Sequence, residues 1–218
     1  MGGVEAHGHP LPHLHAPAER DALVRRAKLL AWAGLTWHGI EAAIAIGAGI
    51  VAGSIALVGF GADSLIEMLA GTILLWRFAG SRASSVEAEH PAHRLIAVTF
   101  WVIAAYIGFE AVRLLAGGQH PEVSYVGIGL SVVTLVTMPP LAIAKARVGE
   151  RLHSSATKSE GRQTALCAYL SAALLVGLGA NALFGWWWAD PVAALVIASV
   201  AVNEGRVAWA GKGGGDCC

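Results

Sequence analysis

"GSIALVGFGADSLIEMLAGTILLW", residues 53–76, is apolar except for a few small hydroxyl residues and two acids near its middle, Asp63 and Glu67. About 20 apolar residues are what an α-helix needs to cross the hydrocarbon of a bilayer. An ionised carboxylate at that depth costs roughly 3 kcal/mol on insertion scales. Two of them at i and i+4 project from one helix face, about one turn apart. Such a face has to be turned toward a partner. Two sets of oxygens aimed at one point inside a bundle hold a divalent cation or share a proton. The bland alternative is a polar network with Ser, Thr or His from other helices. Intramembrane acids mark ion or proton pathways more often than not, which favours the first reading.

The rest of the chain supports a membrane setting. Of its 218 residues, 56% are hydrophobic and 14% charged, against about a quarter charged in an ordinary soluble domain. The formal net charge is zero, so no global field argues for a nucleic-acid partner. Apolar runs of spanning length fall at about 29–52, 54–76, 95–116, 123–144, 162–184 and 189–209. They lack period-two alternation, and lipid admits only helices or closed barrels, so the runs predict an all-α membrane protein of six transmembrane helices. The first two meet at "VAGS" with hardly a loop, which predicts a tight helical hairpin. Residues 1–24 read as a flexible, His-rich tail with no cleavable signal peptide. Residues 25–210 form the membrane domain, and 211–218 a short Gly-rich tail ending Asp-Cys-Cys, too short for a folded C-terminal domain.

Charge sets the orientation. With both termini in the cytoplasm, the inner segments hold Arg20, Arg25, Arg26, Lys28, Arg77, Arg82, Arg94, Lys145, Arg147, Arg151, Lys158, Arg162, Arg206 and Lys212, and only Arg113 falls outside. That is the asymmetry the positive-inside rule expects. Trp186, Trp187 and Trp188 suit the outer interface, and Trp32, Trp76 and Trp209 the inner one. Gly49 with Gly53, and Ala173 with Gly177, have the small-xxx-small spacing of closely packed helices. Pro139 and Pro140 predict a kink or break in the fourth span.

The stretch from Gly53 resembles the second transmembrane helix of the cation diffusion facilitator family. Ser54, Ala56 and Leu57 match its small-residue turn and Ser-x-Ala-Leu, and Asp63 and Glu67 stand at its two ligand positions, glutamate replacing the second aspartate. "CAYLSAALLVGLGANALFGWWWADPVAALVIASVAV", residues 167–202, is similar to the family's fifth helix, short outer loop, Asp followed by Pro, and sixth helix. The resemblance covers roughly residues 25–210. It implies a six-helix metal/proton antiporter, paired as a homodimer, with metal ligands from the second and fifth helices. The two fifth-helix ligands that the family supplies are missing in their usual form; the nearest equivalents are Gln163 and Cys167.

The residue chemistry ranks the remaining candidates. Gln163 is a poor metal ligand, whereas a Cys167 thiolate suits Zn²⁺, unless the thiol is simply a small buried residue. Ser171 lies nearer in depth to Glu67. Glu41, one turn after His38 in "TWHGIEAAIAIGAG", either joins the cation path or pairs with that histidine. Glu110 either joins it or pairs with Arg113 at i+3. Asn181 either lines the exit or bonds across helices. In the tails, His7, His9, His13 and His15, and Cys217 with Cys218, are peripheral metal-binding candidates.

These readings converge on a non-enzymatic divalent metal transporter with no cofactor. Zn²⁺ is the expected cargo, exchanged for protons across the lipid bilayer of the plasma membrane. The alternative is a membrane metal-binding or regulatory subunit that does not transport.

Overall fold

The computed structural model describes residues 17–77, 89–117 and 120–210, all but the turns in six helices: α1 (Pro17–Ala52), α2 (Ile55–Arg77), α3 (Glu89–Leu115), α4 (Tyr125–Arg151), α5 (Ser155–Phe184) and α6 (Ala189–Trp209). There is no strand among the described residues. Five of the helices are long and apolar enough to cross a membrane by length and composition, and α2 is helical over 23 residues. An even number of antiparallel passes leaves both ends of the bundle's chain on one side, here called the termini end.

The α1–α2 hairpin is as tight as its sequence suggests. Gly53 takes a left-handed conformation (φ 65°), which costs glycine little, and Ser54 N–H donates to Gly49 O at 2.9 Å. Gly49 itself faces α2, where an added Cβ would stand 2.8 Å from Val58 Cγ2. The small-residue pair thus serves the hairpin. Gly177 does the analogous work between α5 and α6: a Cβ there would meet Ala193 Cβ at 2.8 Å.

Two expectations need adjusting. Helix α1 begins at Pro17 and so takes in residues 17–24, assigned above to the flexible tail. Helix α4 continues through Pro139 and Pro140, so of the kink or break expected there the break does not occur. Neighbouring helices pack its sides, and this stabilises a helix whose proline positions lack a backbone donor.

The helices pair as α1 with α2, α4 with α5, and α3 with α6, and α2 touches α1, α3, α5 and α6. The buried core reaches from Leu57 and Phe60 on α2 to Ile107 on α3, Leu174 and Leu178 on α5 and Ile197 on α6. Many large apolar side chains, such as Val102, Phe109, Val136 and Val176, are exposed on the outer surface, as lipid-facing helices require. At the outer end, Asp190 at the start of α6 accepts from Ser54 Oγ (2.5 Å) and Ala56 N–H (3.4 Å), capping α2. Asn181 Nδ2 donates to Pro121 O at 3.1 Å, tying α5 to the connection that precedes α4 rather than to another helix. That contact accounts for its amide.

Candidate metal centre

Halfway through the bundle, four helices turn polar side chains toward one another. Helix α1 contributes His38 and Glu41, α2 Ser64 and Glu67, α4 Thr134 and α5 Cys167, and all six are buried. Burial at this depth demands partners, since an unpaired polar group in an apolar medium costs several kcal/mol.

Glu41, with no exposed surface, has its partners. Thr134 Oγ1 donates to its Oε1; Ser64 Oγ donates to Oε2 at 2.9 Å; Cys167 Sγ donates to Oε2 at 3.7 Å; and His38 Nδ1 lies 3.2 Å from the same oxygen. The carboxylate is saturated from four helices at once. Its hold on Nδ1 fixes the His38 ring, and the other ring nitrogen, Nε2, points at Glu67 Oε2 across 2.7 Å.

Glu67 is the opposite case. It is 6% exposed, and neither carboxylate oxygen makes a hydrogen bond among the described residues. The approach of His38 Nε2 is close enough for an ion pair but is not aligned as a hydrogen bond. A buried carboxylate beside an imidazole and a thiol has the donor chemistry to hold a metal ion. His38, Glu67 and Cys167 each present one ligand atom, all within 4.8 Å of one another. A tetrahedral Zn²⁺, with bonds of 2.0–2.3 Å, holds its ligand atoms about 3.5 Å apart, so the wider separations would close by about 1 Å on binding and the 2.7 Å His38–Glu67 pair would open by about as much. The donor set of nitrogen, oxygen and sulfur is the borderline-soft one that suits Zn²⁺.

More negative charge surrounds this group. Asp63, half-buried and without a hydrogen bond among the described residues, lies within electrostatic range of Glu67, His38, Glu41 and Glu204. Glu204 on α6 is in turn within range of Glu67 and Arg162. Four carboxylates thus share a region whose nearby basic partners are His38 and Arg162, an imbalance that favours a cation.

The structure brings together Glu67, Cys167 and Glu41, with Asp63 beside them. It does not bring in the others. Gln163 is half-buried, with no hydrogen bond among the described residues. Ser171 Oγ donates to Cys167 O at 2.7 Å, so its hydroxyl is committed to its own helix. Glu110 pairs with Arg113 at 2.7 Å. His7, His9, His13, His15, Cys217 and Cys218 lie outside the described residues. His38 as a candidate ligand, Glu204 and the hydroxyls of Ser64 and Thr134 escaped the sequence reading. The signal for His38 was on the page, a histidine mid-helix one turn from an acid.

Comparison with known proteins supplies the family. Residues 31–209 match the family model of the cation efflux transmembrane domain. The chain belongs to the cation efflux family. It is 25% identical over 159 residues to an uncharacterized transporter, sll1263, of Synechocystis sp., covering 69% of this chain and 51% of that protein. It is also 25% identical over 146 residues to transmembrane protein 163 of Xenopus laevis, covering 66% and 52% respectively. The chain therefore spans about half the length of these curated relatives. The buried group on α1, α2 and α5 lies within the matched residues 31–209.

Proposed function

We propose that this chain is a divalent metal transporter that carries Zn²⁺, or an ion of similar chemistry, out of the cytoplasm in exchange for protons. The observation that carries the reading is the Glu67 carboxylate, buried and without hydrogen bonds, facing His38 Nε2 and the Cys167 thiol. In this reading His38, Glu67 and Cys167 ligate the metal, Asp63 approaches as the fourth ligand, and Glu41 holds the histidine. Ligands bind metal in deprotonated form, so metal arrival releases protons and protonation releases the metal. That reciprocity is the physical basis for exchange. The positive charges of the termini end support a cytoplasmic location for both termini. Two copies paired through their helices, in the plasma membrane, complete the picture.

Purified protein in liposomes tests it. Zn²⁺ uptake driven by an opposing proton gradient is expected for the parent chain, and Glu67→Ala and Asp63→Ala each abolish it while the proteins still elute as single species. Metal binding without flux would favour a non-transporting metal-binding or regulatory subunit. Unchanged binding in the Asp63→Ala, Glu67→Ala double variant would sink both readings at this site.

A further inference from the structure

One helical turn from the metal centre toward the termini end, the same four helices meet again around a different group. On α1 the residue below His38 is Gly34; on α2 the residue below Glu67 is Gly71; on α5 the residue below Cys167 is Thr164. Between them lies the side chain of Lys145 from α4, 1% exposed. Its Nζ is 2.8 Å from Glu160 Oε1 and donates to Thr164 Oγ1 at 3.1 Å. Gly34 makes the space, and Gly71 lines it. A Cβ at Gly34 would stand 2.7 Å from Lys145 Nζ, and one at Gly71 would stand 3.8 Å from Glu160 Oε1. The ion pair therefore sits among α1, α2, α4 and α5, about one turn nearer the termini end than the centre.

Stability does not explain such a pair. Taking two charges out of water costs more than their attraction reliably returns, and apolar residues of similar volume do as well or better. In a bundle this apolar, a leucine and a methionine would fill the same space. What an ammonium supplies instead is one mobile positive charge on a flexible four-carbon stem, which can swing away and return.

We propose that Glu160 and Thr164 form a second cation station on the route between the termini end and the metal centre, and that the Lys145 ammonium occupies it as a tethered stand-in. A divalent cation entering from the termini end displaces the ammonium and takes the carboxylate and hydroxyl oxygens with part of its water. When the cation moves on, the ammonium returns, so Glu160 is never left as an unpaired buried charge. Oxygen donors of this kind take hard and borderline divalent ions alike, so the station admits and the centre above it selects. The inference rests on the centre lying on a cation route.

Cys167, one turn beyond the ammonium, reports on access. In a Cys217→Ser, Cys218→Ser background it is the sole thiol, since the chain has three cysteines. A membrane-impermeant cationic thiol reagent, applied from the termini side, is expected to label Cys167 about tenfold faster or more in Lys145→Ala than in the background. Labelling from the opposite side stays at the background rate. The Lys145→Ala, Glu160→Ala double variant removes both charges, leaves no buried charge unpaired, and is expected to label equally fast. A second readout is equilibrium binding of Mn²⁺: Lys145→Ala binds one ion per chain more than Lys145→Ala, Glu160→Gln. Background labelling rates in both alanine variants, or equal Mn²⁺ binding, overturn the station. The two ideas separate cleanly. Glu67-dependent uptake with unchanged labelling removes the station and leaves the transporter; faster labelling with Zn²⁺ binding indifferent to Glu67 does the reverse.

Discussion

Asp190 and Glu67 are both carboxylates buried in the same apolar bundle, and their surroundings could hardly differ more. Asp190 stands at the outer end, beside the start of α2, where the first backbone N–H groups of a helix have no partner within it. It accepts from Ser54 Oγ and from Ala56 N–H, and its charge sits against the positive end of the helix dipole. Glu67 stands mid-helix, where every backbone N–H is already used, and it has no hydrogen bond at all among the described residues. A helix end gives an acid its donors from the backbone. A helix middle can supply them only from neighbouring side chains, and here the neighbours are a histidine and a thiol. The first acid is satisfied by the helix end it caps; the second has only a histidine and a thiol beside it.

The largest effect should follow from breaking the satisfied member of that pair. Asp190→Ala removes charge-assisted hydrogen bonds worth about 3 kcal/mol together and leaves the Ser54 hydroxyl buried without its acceptor. The thermal midpoint of the solubilised protein is expected to fall markedly. Combined with Ser54→Ala, the loss is expected to be less than the sum of the two, the sign of a direct interaction. Glu67→Gln is the contrasting measurement: it gives up the ion pair to His38 but no aligned hydrogen bond, so the midpoint is expected to fall less than in Asp190→Ala. A Glu67→Gln protein as unstable as Asp190→Ala would mean that Glu67 is structural after all.

Glu41 sharpens the comparison, because it lies mid-bundle with Glu67 yet is saturated like Asp190. Thr134, Ser64, Cys167 and His38 all reach its oxygens. On the proposed reading its part is to orient His38, the carboxylate–histidine arrangement whose loss typically weakens metal binding about 10–100-fold. Glu41→Gln is expected to lower Zn²⁺ affinity by about that factor while the midpoint moves little. Titration calorimetry beside a melting curve checks both halves. Glu41→Asp, which keeps the charge on a shorter arm, is expected to recover part of the affinity. Loss of binding as complete as in Glu67→Ala would make Glu41 a ligand.

How much of this was legible beforehand follows from the same contrast. The spans, the hairpin at Gly53, and Asp63 and Glu67 as the acids to watch came from length, hydropathy and spacing. The rotational phase of each helix did not. In lipid the outward face is as apolar as the inward one, so no polar stripe marks which side of α1 or α5 meets α2. Gln163 and Cys167 sit one turn apart on α5, and only packing showed that Cys167 meets Glu67 and Glu41. His38 was weighed as a bland partner for Glu41 because one neighbour was visible in the sequence; the second, Glu67, comes from another helix. Lys145 and Glu204 were hidden in another way. Each lies near the termini end, where charge is expected on the surface, and only the bundle shows that Lys145 is buried and that Glu204 faces the acids.

Glu110 gives the smallest expected effect and the sharpest check on the rule that a partnered acid is not a cation ligand. It was a candidate for the path, and it is bonded to Arg113, whose Nη2 lies 2.7 Å and Nε 2.8 Å from Glu110 Oε2. The arginine side chain is 56% exposed, so this i,i+3 pair is worth only about 0.3 kcal/mol. Glu110→Ala is therefore expected to leave the thermal midpoint within the error of measurement and Zn²⁺ affinity unchanged. The same holds for Arg113→Ala, although that change frees the acid. If Arg113→Ala instead created a new, Glu110-dependent metal site, partnering would be a matter of occupancy rather than of role. Glu110 would then resemble Glu160, an acid kept by a tethered cation, and the distinction drawn between satisfied and unsatisfied carboxylates would be one of state.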